Sequence, residues 1–338
     1  MDRYDIIVVG SGPGGYIAAI RAAQVGYSVA LVERESSLGG VCLNWGCIPT
    51  KALLKTAELL KKIANADTYG IKVAGAAQVD IAEVVANSRS AVAHLGAGVA
   101  FLMKKNGVKL YTGNATTLGK GEILVSSSNG EVKLAGRHIV LATGSRPRML
   151  QNVEQELLWT AKDAMVPTEL PKSILIVGSG AIGIEFASFY EALGSKVTIV
   201  ELQDRILPLE DDSISSAMGK ILQSQGVTVL VNSSVCSLVR SDEGLTAEVK
   251  NMATKQSSLV TFDRVCCAIG VVPNSDNLGL ENTGVELDRN GFILTDNLCE
   301  TSDKGLYAIG DVAGQPCLAH KASHEAVICI EGIATREG

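Results

Sequence analysis

The sequence predicts an α/β protein with two Rossmann-like dinucleotide-binding domains, the second inserted into the first, plus a segment that returns to complete the first. Three observations predict it. A short β-branched run ended by a glycine cluster opens the chain at residues 4–15. The same run, cluster and helix pattern recur from residue 173. In both places a glutamate closes the next strand, eighteen residues past the third glycine of the fingerprint. Composition agrees. The 338 residues are 46% hydrophobic and 20% charged, enough for two domains with separate cores. Aromatics are scarce at 4% and glycines number 35, which suits many tight strand-to-helix turns. A net charge of −6 without a basic run argues against nucleic acid as a partner. The first strand starts at Tyr4, leaving no room for a signal peptide, and no apolar run reaches membrane-spanning length. The expectation is a cytoplasmic protein, or one from an equivalent reducing compartment, where a disulfide is more readily catalytic than structural.

Residues 4–9 read as a buried parallel-type strand. Gly10-Ser11-Gly12-Pro13-Gly14-Gly15 follows, then a helix pattern over 16–25. Gly10 and Gly12 allow the tight turn and close approach to a pyrophosphate, and Gly15 allows helix–strand packing. The helix N-terminus offers free N–H groups to the phosphates. A second strand over 28–32 ends in Glu33, placed to bind ribose hydroxyls.

Cys42 and Cys47 come next, with Gly46 between them and Lys51 four residues on. A zinc site would need a second close pair, and none has that spacing. Two unrelated buried thiols and a redox disulfide remain, and the flanking dinucleotide signals favour the second. On an ideal helix residues five apart lie roughly 8–9 Å from each other, beyond the about 7 Å limit for a disulfide. A bond would therefore require a break, which Gly46 permits. Pro49 suits the first turn of the helix that continues through Lys51 to about residue 65. A further helix over 81–105 carries Ile81, Val84, Val85, Val92, Leu95, Val99 and Leu102 on one stripe, with His94 as a surface or packing residue. Strands over 108–111 and 137–142 lead into Thr143 and Gly144, and the first domain is placed at 1–148.

The second domain is placed at 149–273. Its strand at 173–177 meets Gly178, Gly180 and Gly183, and its strand at 196–200 ends in Glu201. A carboxylate there opposes a 2′-phosphate and favours NAD over NADP; Arg205, the one arginine nearby, reads as solvated. Strands follow over 227–231, 235–239 and 245–249, then a run from Arg264 to Gly270 that echoes the ending at Gly144. Residues 274–338 form the return segment. A strand at 305–309 delivers Asp311 to its C-terminal end, where open α/β sheets bind ligands, though a plain turn aspartate is the alternative. A final helix begins near Leu318. Cys236, Cys266, Cys267, Cys299, Cys317 and Cys329 share no spacing and read as packing residues.

With these residues in place, the chain resembles the flavoprotein pyridine nucleotide-disulfide oxidoreductases over essentially its whole length, and among them the dihydrolipoamide dehydrogenases. The resemblance is carried by Gly10-Ser11-Gly12-Pro13-Gly14-Gly15-Tyr16 and by Cys42-Leu43-Asn44-Trp45-Gly46-Cys47-Ile48-Pro49-Thr50-Lys51. Thr143-Gly144, Gly270 with Pro273 and Asn274, Tyr307-Ala308-Ile309-Gly310-Asp311 and Leu318-Ala319-His320-Lys321-Ala322 add to it. It implies FAD at the first fingerprint, Gly14 included, and NAD at the second with Gly270. It implies a disulfide in which Cys42 exchanges with substrate and Cys47 faces the flavin. It implies that Lys51 and Glu185 pair beside the flavin, and that Gly113 and Ala115 offer backbone groups to the adenine. Thr143 and Gly144 would join the FAD site, Asp311 would bind the ribityl chain, and the helix from Ala319 would aim its N-terminus at the flavin pyrimidine. The implied reaction is oxidation of dihydrolipoamide on the lipoyl domain of a 2-oxo acid dehydrogenase or related complex, with NAD+ reduced. The family also carries a C-terminal dimerisation domain whose histidine–glutamate pair serves the partner's site. The sequence ends before it, so the expectation is an incomplete chain of a homodimeric parent with impaired lipoamide turnover. The alternatives are a cofactor-binding fragment without turnover, or a reductase of the mercuric or glutathione type; no metal is expected.

Overall fold

The computed structural model describes residues 1–75, 77–151 and 153–337, and they fold about two parallel sheets of one design. By contact the chain divides into Met1–Cys47, Val92–Arg146 and Val272–Gly338 as one unit, and Ile48–Ala91 and Pro147–Val271 as the other.

In the first unit the strands Lys109–Thr112, Val29–Glu33, Asp2–Val9, Gly130–Leu141 and Leu306–Ala308 lie side by side and parallel. Alternate side chains of a strand leave by opposite faces. Ile6 and Val8 therefore pack with the helices Pro13–Gln24 and Ala319–Glu337, around Ala18, Ala22, Ala326 and Ile330. Ile7 and Val9 pack on the other face with Ile123, Val125, Leu134 and Ile293. Both faces are covered, which is why the strand reads as a continuous apolar run. The strand Gly130–Leu141 serves two partners: its first half pairs antiparallel with Glu122–Ser127, and its second half runs parallel in the main sheet.

The second unit repeats the plan. Thr228–Leu230, Lys196–Val200, Ser173–Val177, Arg264–Cys267 and Leu158–Trp159 form its parallel sheet. Ile174 and Ile176 meet Phe186, Phe189 and Tyr190 of the helix Ala181–Ala192, with Leu53 and Ala57 beside them. Leu175 and Val177 face the antiparallel meander Ser233–Ser241, Gly244–Asn251 and Ser257–Phe262 through Val235, Leu245, Ala247 and Phe262.

The fold corrects several details of the sequence reading. The first strand starts at Asp2 rather than Tyr4, because its exposed first residues still pair with Leu134 and Ala135. The strand expected at 137–142 begins seven residues earlier, at Gly130, in a stretch whose exposed face hides its period. Cys236 is exposed and not a packing residue; a bulge between Val235 and Ser237 leaves it out of the ladder. On the helix Ile81–Lys105, Val99 and Met103 are buried, whereas Leu95 and Leu102 are exposed. Among the described residues no helix is long and apolar enough to cross a membrane, and no cluster of His, Cys, Asp or Glu could hold a metal ion.

Candidate functional site

The strand Asp2–Val9 ends at Gly10, which has φ +99°, and a Cβ there would overlap the Ala142 carbonyl. The chain then enters the helix Pro13–Gln24 with Gly12 as N-cap and proline in its first turn, leaving its first amides free. A Cβ on Gly15 would fall on the Gly10 carbonyl, so this close turn admits only glycine. Glu33 reaches back over the turn. Its Oε2 accepts the Ser11 N–H at 2.8 Å and the Ser11 hydroxyl at 2.5 Å, and its Oε1 accepts the Glu35 N–H at 2.9 Å. The second unit builds the same turn. Gly178 has φ +99°, Gly180 caps the helix Ala181–Ala192, and a Cβ on Gly183 would fall on the Gly178 carbonyl. Glu201 Oε2 accepts the Ser179 N–H at 2.9 Å and hydroxyl at 2.6 Å, and its Oε1 accepts the Gln203 N–H at 2.8 Å. Arg205, expected to be solvated, is partly exposed and also bonded: its guanidinium pairs with the exposed Asp212 at 2.9 Å and donates to the Pro208 carbonyl.

A cavity of about 650 Å³ opens on the first turn. Gly10, Gly12, Glu33, Gly113, Ala115, Thr143 and Gly144 line it, together with Gly40, Val41 and Trp45 of the cysteine segment. Gly14 and Gly15 are buried under the turn, and Asp311 and Ala319 are not among the described lining residues. The site fits a dinucleotide such as FAD. It has cofactor-sized volume, a glycine cradle that any Cβ would fill, free amides at a helix N-terminus and a carboxylate for ribose hydroxyls.

Cys42 lies in the short helix Gly40–Trp45 and Cys47 opens the helix Cys47–Ala64. Gly46, at φ −138° and ψ −116°, breaks the two apart, and a Cβ on it would stand 3.0 Å from the Val41 carbonyl oxygen. The break brings the cysteine Cα atoms to 4.7 Å and the two are joined as a disulfide. The segment is tied to the first turn by the Gly39 N–H, which donates to the Ser11 carbonyl at 3.0 Å. Further along, Lys51 Nζ and Glu185 Oε1 pair at 2.7 Å, with 64% and 29% of their side chains exposed. Thr143 is clasped by Asn274: the Thr143 hydroxyl donates to the Asn274 carbonyl at 2.8 Å, and the Asn274 side-chain amide donates to the Thr143 carbonyl at 2.9 Å. Arg146 bonds the Pro273 carbonyl and pairs with Asp276 on the same wall.

Asp311 lies in the turn Gly310–Ala313 after the strand Leu306–Ala308 and accepts the Ser145 hydroxyl at 2.7 Å. The helix Ala319–Glu337 holds this turn. Lys321 donates to the carbonyls of Gly310 and Gly314, and it pairs with Glu325 at 3.0 Å. Glu325 in turn accepts the Gly310 N–H at 2.7 Å. Lys321→Met strands the half-buried Glu325 carboxylate and both carbonyls. Thermal unfolding should show a stability loss of about 1–3 kcal/mol, largely restored in Lys321→Arg.

A family model described as pyridine nucleotide-disulphide oxidoreductase matches residues 4–326. The chain belongs to this family. Its members couple a flavin and a pyridine nucleotide to a disulfide, and Cys42–Cys47 is that redox disulfide here. Among curated relatives, dihydrolipoyl dehydrogenase of Rhizobium etli is 45% identical over 98% of this chain and 72% of its own length. The protein of the same name from Zymomonas mobilis is 46% identical over 98% and 71%. That of Acholeplasma laidlawii is 40% identical over 98% and 96%. Among solved structures, the Cu(II) complex of the HOCl-induced flavoprotein disulfide reductase RclA from Escherichia coli superposes with a TM-score of 0.87 at 25% identity, covering 98% of this chain and 71% of that one.

In this oxidoreductase the sequence reading missed Ser11, Ser179, Ser145, Lys321 and Glu325 as partners of the site residues. For the two serines a signal was present, since each lies between the first two glycines of a fingerprint. Ser145 carried none, because its partner Asp311 lies far away in sequence, and Glu325 carried none, because its bond to the Gly310 N–H depends on how the last helix packs on the turn before it.

Proposed function

We propose that this protein oxidises protein-bound dihydrolipoamide to lipoamide and passes the electrons to NAD+. The observation that carries the proposal is the Cys42–Cys47 disulfide formed across the Gly46 break beside a dinucleotide turn. The relatives at 40–46% identity that bear the dihydrolipoyl dehydrogenase name support the choice of substrate. Gly10, Gly12, Gly14, Gly15, Glu33, Gly113, Ala115, Thr143 and Gly144 would hold FAD, with Asp311, bonded to Ser145 of the cavity wall, and Ala319 in the same unit. Bound there, FAD supplies the two-electron centre between the thiols and the pyridine nucleotide.

The chain's own part is thiol–disulfide exchange. A dihydrolipoyl thiolate attacks Cys42 Sγ, the Cys42–Cys47 bond breaks, and Cys47 leaves as a thiolate. The second dihydrolipoyl thiol then attacks its own sulfur in the mixed disulfide and releases Cys42. Lipoamide has gained the disulfide, and the protein holds both electrons as two thiols. Lys51, fixed by Glu185, is the cation assigned to tune the flavin potential. Gly178, Gly180, Gly183, Glu201 and Gly270 would hold NAD. Glu201 repels a 2′-phosphate, and Arg205 is already paired with Asp212. The partner is the lipoyl domain of a 2-oxo acid dehydrogenase or related complex.

Steady-state formation of NADH from dihydrolipoamide tests the reading. The rate with NAD+ should exceed that with NADP+ by at least about tenfold in kcat/KM. Equal rates would overturn the NAD assignment. Flavin that is reduced by NADH but gives no dihydrolipoamide turnover would overturn the lipoamide assignment and leave another disulfide as the substrate.

A further inference from the structure

Ser11 and Ser179 occupy the same place in the two dinucleotide turns, and both are fully buried. Each gives its backbone N–H and its hydroxyl to one oxygen, Oε2, of the acid that closes the next strand. In each, the N–H two residues past the acid takes the other oxygen. In each, the serine carbonyl accepts an N–H from the following loop, Gly39 in one unit and Leu207 in the other, both at 3.0 Å. A turn that needed only a small residue would be served by alanine. The hydroxyl recurs with the same bond in two turns of different surroundings.

An ionised carboxylate offers about four acceptor positions. Three donors on the chain fill most of them in Glu33 and in Glu201, and the serine hydroxyl fixes which oxygen turns inward. We infer that Ser11 and Ser179 are positioning residues that hold Glu33 and Glu201 in the orientation that accepts a ribose diol, and so set dinucleotide affinity at each site. At the second site Ser179 thereby also sets the preference for a free diol over a 2′-phosphate. The inference rests on the dinucleotide sites proposed above and adds the residue that orients each acid.

The two turns control for each other. In flavin-loaded protein, Ser179→Ala should weaken NADH binding by about tenfold, read by fluorescence titration. It should act on KM more than on kcat and narrow the NADH-to-NADPH ratio, and the rate of FAD release should stay that of the parent. Ser11→Ala should do the reverse, speeding FAD release about tenfold and leaving the NADH dissociation constant in place. Glu201→Gln supplies the decisive background. If Ser179 acts through Glu201, Ser179→Ala adds almost nothing to Glu201→Gln; a full additional loss means that the serine serves turn packing and overturns the inference. Loss at both sites from either serine variant overturns it as well. If Glu201→Gln alone leaves NADH affinity as it was, the dinucleotide reading of that site falls, and the serine role falls with it. Should Ser179→Ala not fold, Ser179→Gly removes the same hydroxyl and gives the same comparison.

Discussion

Cys42→Ser and Cys47→Ser should each lower dihydrolipoamide-dependent NAD+ reduction by about 10³-fold or more, the scale on which loss of a covalent nucleophile acts. Both sulfurs are needed for one exchange: attack on one expels the other, and a single thiol cannot take up two electrons as a disulfide does. A serine oxygen in either place is neither an attackable partner nor a leaving group. Oxidation of NADH by a small-molecule acceptor needs no thiol and should remain measurable in both variants. That residual rate separates loss of the disulfide from loss of the flavin. The variants should also differ from each other. If Cys42 is the exchange thiol, iodoacetamide should modify it in Cys47→Ser faster than it modifies Cys47 in Cys42→Ser. Retention of more than about one-tenth of the lipoamide rate by either variant would show that the reaction bypasses the pair.

What the sequence could and could not reveal follows from where each element gets its stability. Strands buried on both faces were legible residue for residue, as at Ser173–Val177 and Lys196–Val200, because every position after the first is buried and nearly all of these are apolar. The helix Ile81–Lys105 was legible at both ends from its period alone. The break at Gly46 followed from geometry, since two cysteines five apart cannot bond on a continuous helix. The antiparallel strands Asn114–Gly119 and Glu122–Ser127 went unseen, and so did Ser257–Phe262, in which Phe262 alone is buried. Few of their positions are buried, Thr117 and Gly119 in the first, Ile123 and Val125 in the second and Phe262 in the third, so cross-strand pairing defines them more than any apolar run does. The site's supporting contacts were illegible for another reason. Ser145 with Asp311 and Thr143 with Asn274 lie more than a hundred residues apart in sequence, and only the packing of distant segments brings them together. Arg205 shows the converse: its charge was read correctly, but its partner Asp212 lies on the next helix, and the pair stays partly exposed.

Gly15→Val and Gly183→Val should separate the two nucleotide sites completely. In each turn the added Cβ would fall on a carbonyl oxygen, that of Gly10 or of Gly178. The helix cannot retreat freely, because the same glycines face Ala142 Cβ at 3.5 Å and Ile176 Cγ2 at 3.4 Å. Valine must therefore push the turn open, and overpacking of this kind costs about 3 kcal/mol, or about a hundredfold in affinity for whatever the turn cradles. Gly15→Val is expected to elute from gel filtration without flavin absorbance. Gly183→Val should keep its flavin and lose reduction by NADH at any concentration that saturates the parent. Circular dichroism on both variants shows whether the sheets persist, because each helix also packs its own core. Loss of flavin from Gly183→Val with its fold intact would mean that the second turn serves the first cofactor, and the assignment of one dinucleotide to each fingerprint would fail. Retention of flavin by Gly15→Val would move the cofactor away from the cavity that opens on Gly10 and Gly12. The asymmetric outcome is expected because each acid, each serine and each glycine cradle bonds within its own unit.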